Sequence, residues 1–331
     1  MSAAVAPREQ RVPHSGWRVI AAKELGDHLL SVRFIVLLIV LGLAAAIPLY
    51  FAADRIRAVA EDASGVPAIF LYLFRLGSEQ IDILRVDVFV GMVAPLLGLA
   101  FAFDAVNGER SEGTLPRLLS QPIYRDDVIN GKFAAGMAVI GLVLVSVVAL
   151  IAGFGMIRLG IVPHGPEVLR LIAWVAATFL YVALWLAFGL LLSVVIRRAA
   201  TAALIGFGVW LLVSVFGELI KTLVTGFLRP GADASLDTIL GSAQIQQFVS
   251  RLMPSTLYND ISRVLLDPSV TQVSAPTTIG QVIQGQQRID TLLTIDQSLL
   301  LVWPQIVALV ALTVVCFGAA YVAFMRQEVR A

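Results

Sequence analysis

The chain is short of charge. Only 14% of its 331 residues are Asp, Glu, Lys or Arg, while 58% are hydrophobic. A soluble domain carries about 25% charged residues, so this composition reads as an integral membrane protein. There is one cysteine, Cys316, so no intramolecular disulfide can form and redox compartment is not legible. His14, His28 and His164 are far apart and lack metal-ligand spacing, so no metal site is expected. A net charge of +1 provides no basic field for nucleic acid. The phosphate-binding pattern GxxxxGK[ST] is missing: Gly131-Lys132 is followed by Phe133 and has no upstream glycine. HExxH and GxSxG are missing too, and no histidine stands near a plausible nucleophile. The chain is therefore expected to be no enzyme, to hold no cofactor, and to leave any nucleotide hydrolysis to another protein.

Long apolar runs are what it does have. About 20 apolar residues cross a roughly 30 Å hydrocarbon core. Six runs qualify: residues 34–53, 86–103, 133–157, 171–196, 199–224 and 299–325. The second is the weakest, with Asp87 at its start and Pro95 and Gly98 inside. The sequence thus predicts an all-α integral membrane protein, a six-helix transmembrane bundle over 34–331. Residues 1–15 are polar and expected to be disordered. The stretch 17–33 places Trp17, Ile20, Ala21, Leu25 and Leu29 on one face, and predicts an amphipathic interfacial helix anchored by Trp17 and Arg33; an ordinary solvated helix is the plainer alternative. Charges ahead of the first long run, and no small-residue cleavage site, argue against a cleavable signal peptide.

Basic residues set the expected orientation. Arg8, Arg11, Arg18, Lys23, Arg33, Arg110, Arg117, Arg125, Lys132, Arg197, Arg198, Arg326 and Arg330 fall on one side, which favours both termini in the cytoplasm. Opposite lie a connector, 54–85, whose apolar patch 66–74 is expected to rest on the membrane surface, and a larger segment, 225–298. In the latter, Leu257, Ile261, Val264 and Leu265 share one helical face between Pro254 and Pro268, which predicts a small helical extracytoplasmic cap. Glu218 and Lys221 lie three apart on the fifth run and can pair. An interfacial salt bridge is the bland reading, a polar pair on a substrate path the sharper one.

The most informative stretch is the polar island 104–132, DAVNGERSEGTLPRLLSQPIYRDDVINGK. Its nine charges, at about 2.5–3.5 kcal/mol each at a bilayer centre, hold it in water. Asn107-Gly108 and Gly113 read as helix breakers, Pro116 suits a first helical turn, and Leu115, Leu118 and Leu119 recur at helical spacing. A short amphipathic helix is predicted, with another protein docking on it.

These residues resemble a known pattern. Asp104, Glu109-Arg110, Gly113-Thr114-Leu115, Leu118-Leu119-Ser120, Pro122 and Gly131-Lys132 look like the cytoplasmic signature of type-2 ABC transporter permeases. The resemblance implies a permease in the cytoplasmic membrane, paired with a second copy or a paralogue and with two cytoplasmic ATPase subunits. The 104–132 loop would carry the coupling helix, with Asp104, Glu109, Arg110, Gly113, Thr114, Leu115, Leu118, Leu119 and Lys132 as ATPase-coupling residues. The alternative for Glu109 and Arg110 is that they pin the loop to the chain's own surface. Substrate would cross between the permeases or come from membrane lipid, in the direction of export. A membrane anchor that passes ATPase motion to an extracytoplasmic partner is the second reading.

Overall fold

The structure, a computed structural model, describes residues 16–61, 68–75, 85–114, 123–227, 251–273 and 292–327, with single positions between 235 and 248. The predicted disorder of 1–15, Leu115, Leu118 and Leu119 of the predicted amphipathic helix, and much of 225–298 lie outside the described residues. Every regular element among the described residues is helical.

The chain order is α1 (Gly16–Leu29), α2 (Val32–Glu61), α3 (Tyr72–Arg75), α4 (Val86–Ala102), α5 (Asn107–Ser111), α6 (Arg125–Arg158), α7 (Gly165–Val195), α8 (Ala199–Trp210), α9 (Gly217–Phe227), α10 (Pro254–Leu266) and α11 (Ile295–Met325). Five of these, α2, α4 with the turn after it, α6, α7 and α11, are long and apolar enough to cross a membrane. The expected fifth run is different. α8 passes into a π-helical stretch, Leu211–Val215, and the apolar helix totals 17 residues, 199–215, before Phe216 breaks it. Residues 217–227 then form the separate α9. The wide turn has an evident partner: Ser255 donates from Oγ to the Val213 carbonyl at 3.1 Å, taking up an acceptor the displaced backbone pattern frees.

α4 and α7 form the centre. Their most apolar windows are 61% and 67% buried, against 11% for α11, which identifies α11 as peripheral. Close approach of α4 to α7 depends on Gly98: a Cβ there would stand 2.6 Å from the Leu186 nitrogen and 2.7 Å from the Val182 oxygen. Small residues at such crossings let membrane helices pack backbone to backbone.

The cap helix sits deeper than a cap. α10 buries Leu257, Ile261, Val264 and Leu265 as the sequence predicts, but Tyr258, Ser262 and Leu266 are buried as well, because α10 wedges among α4, α7 and α11. Its polar atoms find partners inside. Tyr258 stacks on Tyr181 with ring centroids 4.6 Å apart, its hydroxyl lies 3.2 Å from Thr178 Oγ1, and Trp174 Nε1 donates to Ser262 Oγ at 2.9 Å. Buried Arg170 spends its guanidinium on the Val264, Leu265 and Leu293 carbonyls and on Ser298 Oγ, closing the end of α10 and the start of α11. Residues of the patch expected on the membrane surface are also interior: Phe70, Leu71, Leu73 and Phe74 are buried, and Phe74 meets Trp174 at 5.4 Å. The backbone nitrogen of Phe70 donates to Glu167, which also caps α7 through the His164 nitrogen.

Gly98→Ala is expected to cost about 1–3 kcal/mol by overpacking the α4–α7 crossing. Gly153→Ala, where a Cβ meets nothing within 4 Å, is expected to be silent. Unfolding temperatures of the two variants in detergent check the contrast.

Candidate functional site

The described parts of the polar island, 104–114 and 123–132, fold back on the chain at one end of the bundle. α1 lies along the first turns of α6: the Trp17 nitrogen donates to Asp127 Oδ1 at 3.0 Å, and Gly131 leaves room for Ile20 and the Trp17 carbonyl. α1 is thus docked on the bundle through α6.

At the centre stands Lys132, with a side chain only 3% exposed. Its Nζ donates to Glu24 Oε1 of α1 at 3.0 Å and to Glu109 Oε1 of α5 at 2.7 Å. A lone ammonium at this depth would be expensive, and two carboxylates around it are what make its burial tolerable. The second Glu109 oxygen, Oε2, is buried without a partner among the described residues.

Around this ion triad the other predicted residues take places. Asp104 pairs with Arg33 at 2.5 Å, and Arg33 also covers the Phe103 ring. Arg110 donates to the side-chain oxygen of Gln327, just past the end of α11. Gln327 in turn donates to the Val194 carbonyl at 2.7 Å and accepts from Arg125 through its own carbonyl at 3.1 Å. Ser193 Oγ accepts the Val106 and Asn107 N–H groups at 2.9 and 3.2 Å, and Asn107 Nδ2 donates to the Ile196 carbonyl. One short helix is therefore tied to α1, α6, α7 and α11. Gln327, Ser193 and Glu24 carry much of this, and nothing local in the sequence singles them out.

Asn107-Gly108, read as a breaker, instead opens α5. Its end explains Gly113. The Thr114 nitrogen donates to the Glu109 carbonyl at 2.9 Å and the Gly113 nitrogen to the Arg110 carbonyl at 3.3 Å, with Gly113 at φ +69°. That is the Schellman pattern, in which glycine takes the left-handed position. Thr114 Oγ1 adds a further bond to the Glu109 carbonyl at 3.2 Å. Glu109 and Arg110 therefore pin the loop to the chain itself, as one of the two sequence readings has it. Leu115, Leu118 and Leu119, which would meet a partner, are outside the described residues. Glu218 and Lys221 fall on α9, beyond the break at Phe216, and their side chains are likewise not described.

His28 of α1 packs edge-on against Phe101 at 5.0 Å. Burial holds its pKa below the ordinary 6.5; Glu24 pulls it upward, Lys132 pushes it down, and Asp104 and Asp27 pull it up. The triad offers charge and rigidity, and among the described residues no group of three or more His, Cys, Asp or Glu could hold a metal.

A family model described as "ABC-2 family transporter protein" matches residues 18–329. The chain is 32% identical over 133 residues to a protein of Stutzerimonas stutzeri named "Probable ABC transporter permease protein NosY"; the match covers 38% of this chain and 46% of that protein. A protein of the same name from Pseudomonas aeruginosa is 39% identical over 74 residues, 22% of this chain and 25% of that one. The chain thus matches less than half the length of these curated relatives.

Lys132→Met leaves two part-buried carboxylates without their shared cation and is expected to destabilise by about 3 kcal/mol. Adding Glu109→Gln should recover part of that loss, read as the unfolding temperature in detergent. A pH effect follows from His28. Its folded form binds fewer protons than the unfolded chain, so stability should fall as pH drops through about 6.5. His28→Gln should flatten that slope in the same measurement.

Proposed function

The chain belongs to the ABC-2 transporter family, and from that premise we propose that it is the membrane-spanning permease subunit of an ATP-binding-cassette transporter. Hydrolysis is assigned to a separate cytoplasmic ATPase, two copies of which grip two permeases, this chain with a second copy or a paralogue. The end of the bundle that carries the Lys132 triad faces the cytoplasm in the inner membrane, both termini lie there, and transport runs outward. In this assembly Ala199–Val215 and α9 together supply the sixth transmembrane element, and the 225–298 segment the extracytoplasmic cap.

The observation that carries the reading is the Lys132 triad. A docking loop transmits force only if it cannot yield on its own. Here the segment entering the loop is bonded to α1 and α6 through Lys132, and to α7 and α11 through Ser193 and Gln327. A displacement of α5 by the ATPase would be passed to several spans at once, and packed bundles answer such a push by switching between discrete arrangements. Asp104, Glu109, Arg110, Gly113, Thr114 and Lys132 act in this scheme by holding the loop's entry, while Leu115, Leu118 and Leu119 seat in the ATPase groove.

A second reading has one observation in its favour. α10 is wedged between α4, α7 and α11, so motion of the spans would be delivered directly to the segment that contains it. The chain would then be an anchor that drives an extracytoplasmic partner.

Gly113→Val forces a β-branched residue into a left-handed position and should uncouple the loop without preventing insertion. In the complex purified with its ATPase, we expect loss of most substrate-stimulated ATP hydrolysis. Unchanged stimulation would refute the coupling role, and hydrolysis by the purified chain alone would refute the division of labour.

A further inference from the structure

The other end of the bundle carries a cavity of about 740 Å³ between α3, the start of α4 and the end of α10. Among the described residues its wall includes Arg75, Arg85 and Arg263, and one carboxylate, Asp267. From this we infer a binding site for a phosphate-bearing anion, at the opposite end of α4 from the Lys132 triad.

The described carboxylates near the cavity, Asp267 and Asp87, are already committed. Asp267 Oδ1 accepts the Ser269 nitrogen at 3.0 Å and the Ser269 hydroxyl at 2.6 Å, and its Oδ2 is paired with Arg75. Asp87 takes the Nε and Nη2 of Arg85 at 3.0 and 2.6 Å, and its side chain is only 5% exposed, so it lies behind Arg85 and not on the wall. Arg263 is exposed on α10 and has no ion-pair partner among the described residues. Among the described residues the wall therefore presents a surplus of guanidinium charge. Arg75 and Arg85 are held in place, Arg75 by Asp267 and by stacking over Tyr72 at 4.1 Å, Arg85 by its two-point bond to Asp87. Each still has N–H groups to spend, since a guanidinium carries five.

The guanidinium wall suits an anion with several acceptor oxygens, which phosphate is. Planar guanidinium forks match the oxygens of phosphate, and fixed forks lose little freedom on binding. A recess lined by charges of one sign concentrates counter-charge. The volume is far larger than an inorganic ion needs and lies in the range of small-molecule sites. A phosphate group carried by something larger fits best, either a phospholipid headgroup or a soluble phosphorylated compound. The inference does not depend on the ATPase-coupling reading, and its test involves no ATPase.

The test uses the full chain in phosphatidylcholine nanodiscs. In one arm phosphatidylglycerol is added and retained lipid is counted by native mass spectrometry. In the other, inorganic phosphate is titrated and the unfolding temperature followed. Arg263→Gln removes the unpaired cation at an exposed position where folding should be untouched, and Arg197→Gln, exposed at the opposite end of the bundle, is the control. Selective retention of phosphatidylglycerol, weakened about tenfold by Arg263→Gln and not by Arg197→Gln, identifies a lipid headgroup site. Stabilisation by phosphate with the same dependence on Arg263 identifies a soluble ligand. No response in either arm, or an equal response in Arg263→Gln and the parent chain, overturns the proposal.

Discussion

One ammonium between two carboxylates governs the polar end of this molecule. Lys132 is the eighth residue of α6, deep enough to be 3% exposed, and it binds Glu24 and Glu109 together. α1 is seated on α6 through Ile20 at Gly131, whereas α5 is fixed chiefly by polar bonds. α1 is short, and α5 is barely more than one turn. Lys132 adds to both an ionic bond from the same point of α6. The hydrogen bonds from Ser193 and Gln327 then make the arrangement stiff. Removing one carboxylate is tolerable to such a cluster, because a neutral ion pair remains, whereas removing the cation leaves two like charges without a counter-charge.

The same logic of completing buried polar groups operates at the far end, with a different solution. Arg170 has carbonyls for partners where Lys132 has carboxylates. It thereby satisfies the last turn of α10, a helix end that could not otherwise be placed among apolar spans. The Tyr258–Tyr181 stack and the Trp174–Ser262 bond continue that seam inward. Both ends of the bundle are thus closed by side chains of α6 and α7 reaching sideways, while the middle is held by backbone proximity at Gly98.

Much of this was readable from residue order. Uninterrupted apolarity marks the membrane helices because a span must satisfy its backbone internally, and the pattern is local. Glu109, Arg110 and Gly113 stood out for similar reasons, since a charged pair and a glycine between apolar runs violate their surroundings. The partners of Lys132 were not readable: Glu24 is 108 positions away, and no periodicity connects them. Gln327 and Ser193 look like ordinary boundary residues. The stop at Phe216 was invisible for another reason. Leu211–Val215 is apolar apart from Ser214, and hydropathy does not report how the backbone pairs its amides and carbonyls. The depth of α10 was underestimated because Tyr258 and Ser262 look solvent-facing until their partners on α7 are known.

The length of α6 has a consequence for the bilayer itself. Its 34 residues extend about 51 Å, against a hydrocarbon core of about 30 Å. Such a helix must lean or protrude, and hydrophobic mismatch decides how much of each. Because Lys132 rides near its lower end, the height of the whole ion cluster relative to the headgroups is set by membrane thickness. A thicker sterol- or long-chain-rich bilayer would draw the cluster toward the acyl boundary; a thinner one would let it stand clear in water. Acyl-chain length thereby becomes a mechanical input to the helix that carries Lys132.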